Sequence, residues 1–199
     1  MELRLPTLEQ LRDFYHGEMK DAFPPAELKP LSAIERMWGE GNYKPYCLYH
    51  DDGAEPIGAA FLWMGNPGWA LLDYLCVSQN WRNDGLGSKI LELLPEAEPE
   101  AVIFGEAEAP VDAPDPDMAE RRLGFYARCG LRVAGYDSEV FGVHYKTLYL
   151  YHQEIEDEEL LMQHQFIYQN SFPPEKYEKF IRIPFDSTMK PMEQIPWDQ

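Results

Sequence analysis

The run WALLDYLCVS, Trp69 to Ser78, constrains this chain more than any other. Apart from Asp73 and the closing Ser78 it is apolar at odd and even positions alike. Side chains alternate across a strand, so a strand of this kind needs cover on both faces and belongs inside a sheet. Directly after it comes QNWRNDGLGS and then KILELL, which has helical spacing. A central strand therefore passes into a helix through a turn carrying Arg82-x-x-Gly85-x-Gly87. Such a turn is either a plain reversal or a place where backbone N–H groups at a helix start meet an anion. The Walker loop does not fit, because GLGSK reverses its order and lacks its spacing. The dinucleotide fingerprint fails too, since Ile90 stands where its third glycine belongs.

The other segments read as alternating short elements. Leu3–Leu5 is a strand, and Thr7 caps a helix to about Lys20, with Gln10 as capping-box partner. A second short helix follows Leu31 and stops at Gly41. Two strands flank the turn Asp51-Asp52-Gly53. The helix from Gly85 ends at Leu94, before Pro95. AVIFGEAEA is a further strand, MAERRLGFYARCG is a helix closed by Gly130, and two strands end near His152. The order β-α-α-β-β-β-α-β-α-β-β gives an α/β (α+β) fold, a mixed sheet with helices packed on it. Residues 1–152 form the core domain, and 153–199 form a C-terminal extension of acidic helix and aromatic tail. That extension carries Leu160, Leu161, Phe166, Ile167, Tyr168, Phe180, Ile181, Ile183, Phe185 and Trp197. So much apolar surface is expected to dock on the core or on a second subunit.

A net charge of −18 over 199 residues argues against a nucleic-acid partner and against anionic membrane surfaces. It serves solubility, and it suits a cationic ligand. No apolar run approaches the roughly 20 residues of a membrane span, and no basic-then-apolar leader opens the chain. Cys47, Cys76 and Cys129 are odd in number and far apart, which points to a reducing cytoplasm and away from disulfides or zinc. His16, His50, His144, His152 and His164 show no metal-ligand spacing and read as ordinary residues, so no metal is expected.

LLDYLCVSQNWRNDGLGSKILELL resembles the acetyl-CoA-binding motif of the GCN5-related N-acetyltransferases (GNAT superfamily). GFYARCGL, Gly124 to Leu131, is similar to that family's Tyr-x-x-x-Gly-Phe helix ending, with Leu131 in the Phe place. The resemblance implies a mostly antiparallel sheet of about seven strands, with the central strand and its successor splayed around the pantetheine arm. It implies that main-chain groups of Leu75, Cys76 and Val77 bind the pantetheine amides. The N–H groups of Arg82, Asn83, Asp84, Gly85, Leu86, Gly87 and Ser88 would hold the pyrophosphate. Acetyl-CoA would be a cosubstrate, and the reaction a direct acetyl transfer to a primary amine of a small cationic molecule or peptide. Two other readings stand beside it: an acyl-CoA-binding module without acceptor turnover, and an acidic scaffold protein. Either a monomer or a homodimer fits.

Acetyl transfer to an amine needs a base for the ammonium, an oxyanion donor and a proton for the thiolate. Glu106 resembles the base of some peptide-acetylating relatives. Asp73, nine residues before Arg82 on the face of Leu75 and Val77, lies where polyamine acetylators have Glu. The alternative for either carboxylate is pairing with a neighbouring cation, Glu108 is a weaker candidate, and a water relay can replace a direct base. Tyr126 falls at the family's general-acid place. Ala119 departs from the family pattern, which often has Asn there.

Overall fold

The computed structural model describes residues 1–195 except 26, 52, 153 and 191. Asp52 of the expected turn and Trp197 of the expected docking residues lie outside the described residues. Among the described residues the chain is an α/β fold of eight mostly antiparallel strands with helices against them. It divides into two compact units: Met1–Met64 with Leu72–Ala101, and Gly65–Leu71 with Val102–Ile195.

In the first unit the strand order is β1 (Glu2–Arg4), β2 (Tyr43–Tyr49), β3 (Pro56–Met64), β4 (Trp69–Val77), the last beginning in the second unit. Helix α1 (Leu8–Phe14) starts at the expected capping box: Gln10 N–H donates to Thr7 Oγ1, and Thr7 N–H donates to Gln10 Oε1. It runs through a π turn, Tyr15–Met19, into α2 (Lys20–Ala22), close to where the sequence ends it. α3 (Leu31–Gly39) buries Ile34 and Met37. β2 and β3 pair antiparallel from Tyr43↔Trp63 to Tyr49↔Pro56. α4 (Leu86–Ala97) buries Leu86, Ile90, Leu91 and Leu94. A Cβ on Gly58 of β3 would stand 2.9 Å from Ile90 Cδ1 and 3.1 Å from Cys76 O, so the glycine lets α4 and β4 close on β3. The expected stop at Pro95 is wrong, because the helix runs on to Ala97. So near the C-terminus, the missing N–H removes a single bond from the last turn, and Glu98 N–H still reaches Leu94 O.

The second unit holds β5 (Val102–Glu108), α5 (Pro116–Arg128), β6 (Arg132–Val140), β7 (Val143–Leu150), α6 (Asp157–Ser171), α7 (Pro174–Phe180) and β8 (Ile181–Arg182). Its strand order is β5-β7-β6-β8. Glu106 faces Thr147 across the β5–β7 ladder. β6 is irregular: Val133 pairs with Leu148 but Asp137 with Lys146, so extra residues of β6 bulge out around Tyr136. β8 is the strand the sequence reading lacks, and it comes from the extension, with Val140↔Ile181 and Glu139↔Arg182 in register. A two-residue strand has no pattern of its own, and its partner is about forty positions away. α6 buries Leu160, His164, Ile167 and Tyr168, and Ile181 and Ile183 are buried beyond it. Asp157 ties the start of α6 to β6 by accepting the Gly135 N–H at 2.9 Å.

Ile167 is 2% exposed, and its Cγ1 and Cδ1 lie 3.0 and 3.1 Å from where a Cβ on Gly65 would stand. Ile167→Ala is expected to cost about 2–5 kcal/mol, read as a lower urea midpoint. An unchanged midpoint would show that α6 does not pack as described.

Candidate active site

β4 is tied at its end to β3 by the Ser78 N–H donating to Ile57 O at 3.1 Å. A short 3₁₀ turn, Gln79–Trp81, follows, with the Gln79 N–H donating to Glu18 at 2.8 Å. Asn83 then has φ 72° and Gly85 φ 77°. An added Cβ on Gly85 would meet nothing within 4 Å, so backbone conformation, not crowding, calls for glycine there. Gly85 also occupies the N-cap of α4, and no side chain caps that helix, whereas α1 has its Thr7 box and α5 has Asp115. Residues 82–85 and Ser88 are exposed. At an exposed helix start without a side-chain cap, reached through left-handed residues, the first backbone N–H groups of the helix are left to an outside acceptor. Arg82 Nε donates to Val77 O at 3.3 Å and so leans back over the strand end. Leu75 and Val77 are half-buried, and Cys76 is buried. Burial, only partly offset by Arg82, pushes the Cys76 thiol up to about 11, which makes it a poor nucleophile.

Asp73 is committed to a buried ion pair. Its two oxygens accept from Lys29 Nζ at 2.6 and 2.7 Å, and Oδ2 also accepts from the Tyr43 hydroxyl. Lys29 is 1% exposed, with Nζ 4.4 Å from the Trp63 ring centroid. The Lys29 backbone is held as well, its N–H donating to Tyr74 Oη and its carbonyl accepting from Tyr15 Oη. Burial, and then the Asp73 charge, raise the Tyr43 phenol well above its ordinary value. No local signal marks Lys29, which lies in a proline-rich loop 44 positions from its partner.

Glu106 lies in a second buried network. Its Oε1 accepts from Ser138 Oγ at 2.5 Å and faces His164 Nε2 at 3.1 Å, while Oε2 accepts from Tyr168 Oη at 2.6 Å. Burial pushes this carboxyl up, but the His164 charge and the hydrogen bonds from His164, Ser138 and Tyr168 outweigh it and hold the group below its ordinary value. Both helical partners come from α6, so a histidine that reads as ordinary in the sequence is a neighbour of the candidate base. Glu108 pairs with Arg122 of α5 at 2.9 Å. Tyr126 is half-buried, with its ring 5.2 Å from that of Phe125. Burial raises its phenol above the ordinary value against the opposing Arg122 charge, so it keeps its proton. Ala119 is the residue that α5 buries.

A mostly antiparallel α/β fold thus carries an uncapped, glycine-bearing helix start directly after an apolar strand. The chain belongs to the acetyltransferase (GNAT) family, whose family model matches residues 8–131. A Bacillus subtilis (strain 168) protein assigned as an acetyltransferase, YjbC, is 30% identical over 115 residues, which are 57% of this chain and 54% of that protein. The chain thus spans about half the length of that curated relative. Among solved structures, a GNAT-family protein of Bacteroides thetaiotaomicron superposes with TM-score 0.68 at 22% identity, covering 83% of this chain and 95% of that one. The ribosomal-protein-S18-alanine N-acetyltransferase of Escherichia coli gives TM-score 0.56 at 18% identity, over 75% and 92%. Both share the fold with this chain.

Lys29→Ala would leave Asp73 buried without its cation and is expected to cost about 3–5 kcal/mol in urea denaturation. A loss below about 1 kcal/mol would mean the pair is open to water. Glu106 makes a separate prediction. Its folded pKa is depressed, so its contribution is complete above about pH 4.5 and is lost as pH falls through the lower folded value. Thermal stability of the wild type should therefore fall more steeply below about pH 4.5 than that of Glu106→Gln. Parallel curves would contradict the depressed value.

Proposed function

We propose that this chain is an acetyl-CoA-dependent N-acetyltransferase that transfers acetyl directly to a primary amine of a small cationic molecule or peptide. The observation that carries this reading is the turn from β4 into α4: left-handed at Asn83 and Gly85, exposed, and without a side-chain cap. The main-chain groups of Leu75, Cys76 and Val77 pair with the pantetheine amides. The N–H groups of residues 82–88 take the pyrophosphate. The ammonium proton goes to the network around Glu106. Tyr126, which its burial keeps protonated, gives a proton to the departing thiolate. The net charge of −18 supports a cationic acceptor, and the Escherichia coli neighbour, which by its name acetylates an alanine of a ribosomal protein, keeps a peptide amine in view. The cysteine pattern supports a cytoplasmic setting. Among the described residues no helix is long and apolar enough to cross a membrane.

A second reading, an acyl-CoA-binding module without turnover, is favoured by one feature: Asp73 and Glu106 both have their oxygens engaged by protein donors. An amine panel with acetyl-CoA, followed by thiol release, separates the two. Turnover is expected, with cationic amines preferred and the preference weakened by salt. CoA binding without thiol release from any amine would favour the module. In calorimetry Gly87→Glu is expected to abolish CoA binding by bulk and charge, and unchanged affinity would reject the pyrophosphate placement. Tyr126→Phe should lower kcat by about 10²–10⁴-fold with acetyl-CoA binding intact.

A further inference from the structure

Three side chains from three elements of the second unit stand in line. Glu106 comes from β5, His164 from α6 and Tyr136 from β6. His164 Nε2 lies 3.1 Å from Glu106 Oε1, and its Nδ1 lies 3.3 Å from Tyr136 Oη. The imidazole is fully buried, whereas the Glu106 side chain is 11% exposed and Tyr136 is half-buried. Protons therefore reach the ring only through the groups at its two nitrogens. An ionised Glu106 only accepts, so in the neutral ring Nε2 carries the hydrogen and Nδ1 accepts the Tyr136 O–H. Tyr136 lies within the irregular stretch of β6 between Val133 and Asp137, and bulges re-aim side chains. Thr147, opposite Glu106 on the ladder, is buried, and its side chain acts on the Tyr136 hydroxyl.

We propose that His164, contributed by the C-terminal extension, is the base of the transfer site, oriented by Glu106 and linked to the acceptor amine through the Tyr136 hydroxyl. This rests on the acetyltransferase reading above. It follows the logic in which a base beside a reacting group is oriented by a third residue. The Glu106 oxygens are already held by Ser138, His164 and Tyr168, whereas the ring nitrogen toward Tyr136 can take up a proton. Burial, and then the Glu106 charge, hold the Tyr136 phenol far above its ordinary value, so it passes protons on without resting as a phenolate.

The protons balance. The ammonium gives one proton to Tyr136 Oη as the Tyr136 proton moves to His164 Nδ1, and the ring charge is offset by Glu106. The freed lone pair forms the bond to the thioester carbon, and the C–S bond breaks. Sulfur takes the Tyr126 proton, and the second proton shed by nitrogen restores Tyr126. His164 then returns its proton to water through Tyr136. Among the described residues, the titratable groups facing this ring are Glu106 from β5, Tyr136 from β6 and Tyr168 from its own helix. Asp157 acts on Tyr136 from the start of α6, and β7 presents Thr147.

The test is kcat against pH, from about 6 to 10, at saturating acetyl-CoA and with the best amine of the panel. His164→Gln keeps an N–H for Glu106 but holds no proton at neutral pH. Tyr136→Phe keeps the ring and removes only the hydroxyl, which guards against a His164 variant that fails to fold. Both are expected to lose about 10²-fold near neutral pH. Both should recover toward pH 10, where a much larger fraction of the amine is already neutral, with KM for acetyl-CoA unchanged. A wild-type profile in either variant, or an equal loss at every pH, would overturn the assignment while the acetyltransferase reading stands. A wild-type chain that releases no thiol with any amine would overturn both.

Discussion

Asp73 and Glu106 sit on sheet strands, where a charge taken out of water is costly unless donors meet it. Much of what surrounds them supplies those donors. Around Asp73, the loop between α2 and α3 folds inward so that Lys29 reaches it, and Tyr15 and Tyr74 pin that loop by its backbone. Around Glu106, the extension doubles back so that His164 and Tyr168 of α6 reach it, and Asp157 anchors the start of the same helix. In each case the carboxylate fixes a segment that would otherwise be free to vary. Each network lies inside one compact unit.

The two networks differ in chemical promise. Lys29 has its ammonium over Trp63 and against both Asp73 oxygens, so Asp73 ends in a closed pair. The Glu106 network contains a histidine, whose two nitrogens let a proton enter on one side while the carboxylate steadies the other. That difference is why the proposed base function belongs to the Glu106 network, and why the extension counts as part of the proposed site.

Local signals carried the sequence reading far. Thr7 and Gln10 lie three residues apart, so their capping box is written in one turn of chain. Gly130, with φ 88°, closes α5 where it was placed. The pattern of Trp69–Val77 and the turn up to Gly87 were likewise readable, because a helix start and its glycines are adjacent in sequence. Long-range partners were not readable. Lys29 meets Asp73, and His164 meets Glu106 across 58 positions, and nothing in the spacing of either pair marks it. β8 escaped for the same reason, since its two residues are a strand only because β6 lies beside them. Pro95 does not stop α4, because it lies within the last turn, where its missing N–H costs a single bond.

The central claim is that the backbone of the β4–α4 turn holds a diphosphate. Amide hydrogen exchange, measured with and without CoA, tests it at the atoms concerned. The account predicts that exchange slows at the amides of residues 82–88 and at the end of β4 on adding CoA, because bound oxygens would cover those N–H groups. Unchanged exchange over that segment, with CoA protecting amides elsewhere in the chain, would contradict it.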